Sequence, residues 1–432
     1  MMAPSCDQMS LPNLGPTPDP QHTTSTFVRN MSVPIHRWFR YSAGFSALWA
    51  RELLQQEWGS GRRRVLDPFV GSGTVLLEAE LCGAESVGLE AHPFVFRVAR
   101  TKLCWREDPD QFREYALAVL KRAKGLDGTT TAYAPLMHKC FPPQVLSSLD
   151  TLRRAWEERA DGSPLSQLTW LALVSILREC SPAGTAQWQY VLPKKTKASA
   201  AEPYTAFRWK VHMMADDMAR RQLLPAGPAA TLHQDDARNC ASVPDGWAHL
   251  VVTSPPYTNN YDYADATRLE MTFLGEVSRW ADLHDAVRAR LLPSCTQHVS
   301  RISHATYDIL QDRALDPIRR EIAPICRRLD TERQKHGGRK TYHTMIAAYF
   351  ADMAKAWTAL RRATARGALI CYVVGDSAPY GIHVPVDKWL GELAVAAGFG
   401  SYSFEKTRDR NVKWKNRKHG VPLHEGRLWV RG

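Results

Sequence analysis

No apolar run in this sequence approaches the ~20 residues of a membrane span, so no transmembrane helix is expected. No secretory leader is evident either. Met1 to Gln21 holds five prolines and no apolar stretch, and residues 1–33 are expected to form a disordered tail. Cysteine is sparse and scattered. No two of the nine stand as Cys-x-x-Cys, so no metal site is expected and a reducing, cytoplasmic setting is the simplest reading. The phosphate-loop pattern Gly-x-x-x-x-Gly-Lys-Ser/Thr is absent, as is a full Gly-x-Gly-x-x-Gly, so neither nucleotide fingerprint applies. Acidic residues are in deficit. Lys and Arg number 56 against 44 Asp and Glu, giving a net charge of +12, which favours a polyanionic partner without separating DNA from RNA. With 432 residues, 44% of them hydrophobic, the chain can bury a sizeable core in one elaborated domain or two to three units.

What is present centres on Thr253-Ser254-Pro255-Pro256-Tyr257, directly after the apolar run Leu250-Val251-Val252. That run is too short for a helix and β-branched at its end, which predicts a buried strand. The two prolines cannot donate to a sheet ladder, and each holds its predecessor extended. The result is a stiff loop at the carboxyl end of a strand, the edge where open α/β sheets bind ligands. Earlier, Arg64-Val65-Leu66-Asp67-Pro68-Phe69-Val70-Gly71-Ser72-Gly73-Thr74 reads as strand, glycine loop and helix start. Gly71 and Gly73 permit a sharp turn and a close ligand approach. About twenty residues on, Glu90 ends a second strand, where a carboxylate can accept from two ribose hydroxyls.

Asp67-Pro68-Phe69-x-Gly71-Ser72-Gly73-Thr74 together with Ser254-Pro255-Pro256-Tyr257 resembles the S-adenosyl-L-methionine-dependent DNA amino-methyltransferases, of N4-cytosine and N6-adenine type. The likeness covers roughly 34–104, 229–275 and 341–432. It implies an α/β, Rossmann-like, seven-stranded class I methyltransferase sheet with two largely helical insertions. Asp67 would lie by the methionine moiety of S-adenosyl-L-methionine, and the loop amides of Gly71 to Thr74 would face its carboxylate, a sound arrangement at a helix N-terminus. Asp236, ahead of Ala237-Arg238, fits the acid that bonds the cofactor's adenine better than Asp235 does. The segment His36-Arg37-Trp38-x-x-Tyr41, with a helix capped by Ser46, would help cover the methionine end; the plain alternative is a packing helix. Ser254, Pro255, Pro256 and Tyr257 would be the catalytic loop.

Strands are expected near 63–69, 85–90, 230–235, 249–254, 367–374, 400–408 and 426–431. The expected units are a cofactor half at 34–104, a helical insertion at 105–228, the catalytic segment at 229–275, a second insertion at 276–345 as a possible target-recognition region, and a C-terminal part at 346–432. Helices are expected near 94–104, 110–125, 144–159, 164–179 and 205–222. Basic stretches at Pro193–Lys197 and from Arg408 to Lys418, the latter with Trp414, suit a nucleic-acid backbone, and a solvated loop is the alternative in each case.

Carbon-5 cytosine methylation needs a cysteine nucleophile, typically in a Pro-Cys pair, and no Pro-Cys occurs. An exocyclic amino group instead needs acceptors for its hydrogens and an aromatic to hold the base, and a paired base must flip to reach them. Serine at the first motif position favours cytosine N4. The order of motifs, cofactor loop first, departs from many Ser-Pro-Pro-Tyr cytosine enzymes. The partner expected is double-stranded DNA, the location cytoplasmic and nucleoid-associated when bound. No nuclease motif is evident, so a restriction or defence partner would be a separate chain. An adenine-N6 DNA enzyme, an RNA guanine-N2 or adenine-N6 enzyme and a non-catalytic DNA-binding protein are the alternatives.

Overall fold

The computed structural model of the chain describes residues 27–41, 43–183, 199–410 and 420–432. Seven strands appear in chain order: β1 Arg64–Asp67, β2 Glu85–Leu89, β3 Thr231–His233, β4 Ala248–Thr253, β5 Thr364–Gly375, β6 Ser401–Arg410 and β7 Leu423–Arg431. They form one sheet in the order β3-β2-β1-β4-β5-β7-β6. The ladders joining β1 to β5 are parallel, while β7 runs antiparallel to β5 and β6 antiparallel to β7. This is the expected α/β, Rossmann-like seven-stranded sheet. The chain steps outward from β1 to β2 and β3, then returns to place β4 on the other side of β1. That reversal opens a crevice at the carboxyl ends of β1 and β4.

The pleat sends alternate residues to opposite faces, and the core follows it. Val65, Leu250, Val252 and Cys371 pack with Trp49, Leu53 and Leu54 of the helix Ala47–Gly59. Leu66, Val251, Ile370 and Tyr372 pack on the other face with Met345, Tyr349 and Trp357 of the helix Tyr342–Ala363. Both faces of β4 are therefore covered, which explains its unbroken apolar run.

The first insertion contains the expected helices, observed at Pro109–Ala123, Pro143–Glu157, Pro164–Cys180 and Pro203–Gln222, and one unexpected short helix, Pro135–Cys140. Each starts on proline, whose missing N–H matters least at that position. Their core, including Phe112, Leu149, Trp170 and Phe207, also takes in Trp38, Leu77 and Phe94. Asp217, fully buried in the helix Pro203–Gln222, accepts from Ile35 N, Arg37 and Trp38 Nε1. The segment before the glycine loop is thus pinned to the insertion. The second insertion supplies Leu292, Val299, Leu315 and Ile322 to the core beneath the helix Tyr342–Ala363, so it packs on the sheet domain. β5 and β7 each begin three residues earlier than expected, at Thr364 and Leu423. No helix among the described residues is long and apolar enough to cross a membrane. Of the tail expected at 1–33, residues 1–26 lie outside the described residues, as do the loop at 193–197 and Lys413, Trp414, Lys415, Arg417 and Lys418; Phe27–Ser32 instead form a short 3-10 helix, whose buried Asn30 donates to Phe45 O and accepts from Ala47 N.

Candidate active site

The two motif loops leave adjacent strands and are tied where they start. Thr253 Oγ1, ending β4, donates to Asp67 Oδ1, ending β1, at 2.6 Å, and Phe69 N donates to the same oxygen at 3.1 Å. Burial pushes the Asp67 carboxyl up to about 7 against those two hydrogen bonds. The glycine loop follows. Gly71 has φ 54° and Gly73 φ 93°, a left-handed region that penalises any other residue. A Cβ on Gly71 would also lie 3.3 Å from Tyr41 Cε1. Gly73 then caps the helix Thr74–Leu81.

A cleft with about 590 Å³ of empty space, its mouth included, opens at this switch point. Tyr41, Pro68, Phe69, Gly71, Glu90, Asp236, Ser254 and Pro256 all line it. Candidates from segments far apart in the chain therefore share one wall. Other candidates sit apart from it. Ser46 spends its hydroxyl capping the helix Ala47–Gly59, accepting from Trp49 N at 3.4 Å. Asp67 lies beneath, with Thr253. Thr74 is buried at the start of its helix, and Pro255 is buried within the Ser254–Tyr257 loop. Tyr257 turns its ring to the Arg410 guanidinium, 5.5 Å away, and donates its amide to the Tyr263 hydroxyl at 3.2 Å.

Glu90 is held by both oxygens, with Gly71 N donating to Oε2 and His92 N to Oε1, each at 2.8 Å. Burial raises its carboxyl to about 7 despite these bonds. Both acids after β3 line the cleft. Asp236 is gripped by Arg238, whose Nε lies 2.9 Å from Oδ2 and whose Nη1 reaches Asp352 at 2.7 Å. Asp235 accepts from Asp236 N and Ser242 N at 2.7 and 2.8 Å. Ser254 Oγ donates to Val373 O at 3.1 Å, so its one hydrogen is committed, and its side chain also meets the Tyr257 hydroxyl.

Sequence reasoning did not find His92, Ala43, Leu291 or Leu292 on the cleft wall. His92 follows β2 by three residues, so its place at the ligand edge was there to be read. Burial drives its imidazole down to about 3, leaving a neutral ring paired with Thr267 Oγ1 at 3.0 Å. Leu291 and Leu292 come from the second insertion, with no local signal. That insertion is also fastened to the loop after Tyr257. Ser294 Oγ donates to Tyr261 O at 2.9 Å, Thr296 N to Asn260 Oδ1 at 3.0 Å, and Arg288 Nη2 to Asp262 Oδ2 at 2.7 Å.

A glycine loop and a Ser-Pro-Pro-Tyr loop on one cleft call for comparison with known proteins. No family model matches the chain. The type II methyltransferase M.BsoBI of Geobacillus stearothermophilus is 25% identical over 421 residues, covering 87% of this chain and 80% of that protein. The chain resembles the type II methyltransferases. The type II methyltransferases M.AvaI of Nostoc sp. and of Anabaena variabilis are each 24% identical over 411 residues, covering 87% of this chain and 81% of theirs. Among solved structures, an rRNA methyltransferase, aviRa from Streptomyces viridochromogenes, covers 90% of this chain and 85% of its own at 12% identity, with a TM-score of 0.25, too low to bear on function.

Proposed function

We propose that this chain is a DNA methyltransferase that moves a methyl group from S-adenosyl-L-methionine to the exocyclic amino nitrogen of a flipped base in double-stranded DNA, cytosine N4 being the target. The observation that carries the reading is the junction of the two loops: Ser254 and Pro256 share a cleft with Gly71, Glu90 and Asp236. The likeness to type II methyltransferases supports it, and so does the positive charge.

The cleft residues fit this cofactor. A side chain at Gly71 would crowd Tyr41 and strain its left-handed backbone, Glu90 offers a carboxylate at the end of β2, and Phe69 and Leu89 give an apolar wall for a purine. When bound, S-adenosyl-L-methionine supplies an electrophilic methyl on a sulfonium. The chain's task is then positioning. The target nitrogen is a poor nucleophile because its lone pair is delocalised into the ring. Ser254, its own hydrogen given to Val373, accepts one amino hydrogen. The Pro255 carbonyl accepts the other. Together they favour a tetrahedral nitrogen, whose lone pair is freed for attack. Tyr257 holds the base by its ring face, and the second insertion keeps that loop in place through Arg288, Ser294 and Thr296.

Serine at the head of the motif supports cytosine over adenine. Incubating the protein with unmethylated duplex DNA and labelled cofactor, then digesting to nucleosides for mass spectrometry, tests this. N4-methylcytosine is expected. N6-methyladenine would overturn the choice of base, and label entering transfer RNA but not DNA would overturn the substrate.

A further inference from the structure

One cluster outside the cleft has no part in methyl transfer. Asp376 follows β5 and is 1% exposed. Its Oδ2 pairs with His383 Nε2 at 3.0 Å and lies 2.9 Å from His424 Nδ1. Its Oδ1 is buried with no hydrogen-bond partner among the described residues, and the same is true of His424 Nε2. That nitrogen lies 3.5 Å from Asp387 Oδ1. One ligand atom each from Asp376, Asp387 and His424 fall within 4.8 Å of one another. All three are fixed by regular structure: the end of β5, the first turn of the helix Val386–Ala396, and β7.

The chemistry asks for a cation. A buried carboxylate oxygen with no donor is unfavourable, and a second carboxylate beside it adds repulsion. Among the described residues, the basic groups in ion-pair contact with Asp376 are His383 and His424. Arg410 Nη1 goes to the Asp376 backbone oxygen instead, at 2.8 Å, and Arg408 is paired with Glu425. A gap of 3.5 Å between His424 Nε2 and Asp387 Oδ1 suits two ligands of one tetrahedral ion, each ~2.0–2.1 Å from the metal. Mixed nitrogen and oxygen donors select zinc-class ions over magnesium or calcium. The other such group, Asp262, Cys295 and His298, has its carboxylate taken by Arg288 at 2.7 and 3.0 Å.

We propose that Asp376, Asp387 and His424 bind one divalent transition cation of the zinc class, with His383 beside it. This goes against the expectation of no metal drawn from cysteine spacing, which says nothing of His and Asp donors. The ion would stiffen the end of β5, whose Asp376 carbonyl holds Arg410 over the Tyr257 ring. The assignment does not depend on the methyl-transfer reading.

The test uses the full chain, stripped with a chelator and titrated with zinc(II) and with cobalt(II), followed by calorimetry and by the cobalt ligand-field spectrum. One equivalent should bind, with a rise in Tm and a tetrahedral cobalt spectrum. Asp387→Asn and His424→Gln should each weaken binding by about 10-fold or more. Circular dichroism checks folding, and as both side chains are partly exposed, at 20% and 27%, at least one variant should fold. Absence of stoichiometric binding by the wild type overturns the proposal, as does unchanged affinity in a folded variant. A Tm that responds to pH but not to metal would also overturn it, since the histidines would then balance the carboxylates by protonation alone.

Discussion

Replacing Glu90 by glutamine separates two effects that usually travel together. In the free protein the carboxylate is buried, and its pKa rises from 4.5 to about 7. The folded state therefore holds that proton more tightly than the unfolded chain does. The stability tied to it is fully present below the unfolded value and is lost as pH rises through about 7. Between about pH 5 and pH 8 the loss amounts to roughly 2–3 kcal/mol, because a pKa difference of one is worth ~1.4 kcal/mol. Glu90→Gln removes that loss. It also leaves a single side-chain oxygen where Gly71 N and His92 N both donate, so one amide loses its acceptor at about 1–3 kcal/mol. Denaturant unfolding at the two pH values should show the variant gaining roughly 2–3 kcal/mol on the wild type from low to high pH. Calorimetry at the higher pH should show S-adenosyl-L-methionine binding weakened by about 1–3 kcal/mol, through loss of a charged ribose acceptor. A stability difference that does not change with pH would refute the buried carboxylate. An unchanged cofactor affinity would refute its role at the ribose.

Gly71→Val should abolish cofactor binding with the sheet intact, because its Cβ already crowds Tyr41 and the rest of the side chain fills the cleft; calorimetry on a variant with native circular dichroism checks this. Affinity for duplex DNA should fall steeply with salt, and Lys413→Glu with Lys415→Glu should lower the log–log slope by about 0.9 for each phosphate no longer neutralised. A slope that both substitutions leave unchanged would put the DNA surface elsewhere.

The sheet was legible because its central strands are punctuated. Leu250-Val251-Val252 is bounded by two prolines, and Val65-Leu66 by Asp67-Pro68 and the glycines, so strand ends and ligand edge coincide in the sequence. The five longer helices after β2 carried a full apolar stripe and were legible for that reason. The short helix Pro135–Cys140 has too few turns to show a period. The cleft wall was legible where a residue closely follows a strand end, as at Glu90, Asp236 and Ser254. It was obscure where a side chain arrives from distant chain. Leu291 and Leu292 reach the cleft only because the second insertion folds back onto the sheet, and Arg410 reaches Tyr257 only through the register of β6 on β7. Ser46 caps the helix Ala47–Gly59 as its type and place suggested.

The central claim is that Ser254-Pro255-Pro256-Tyr257 is the base-handling loop, and Ser254→Ala and Tyr257→Ala test it together. Duplex DNA carrying 2-aminopurine at the target position reports flipping, and single-turnover transfer of labelled methyl reports chemistry. Ser254→Ala should flip the base with near wild-type fluorescence yet transfer methyl slowly, because its hydrogen bond strengthens as the nitrogen becomes tetrahedral. Tyr257→Ala should lose both signals, since stacking is worth ~1–3 kcal/mol per base. Normal methyl transfer by Ser254→Ala, or undiminished base capture by Tyr257→Ala, would contradict the account.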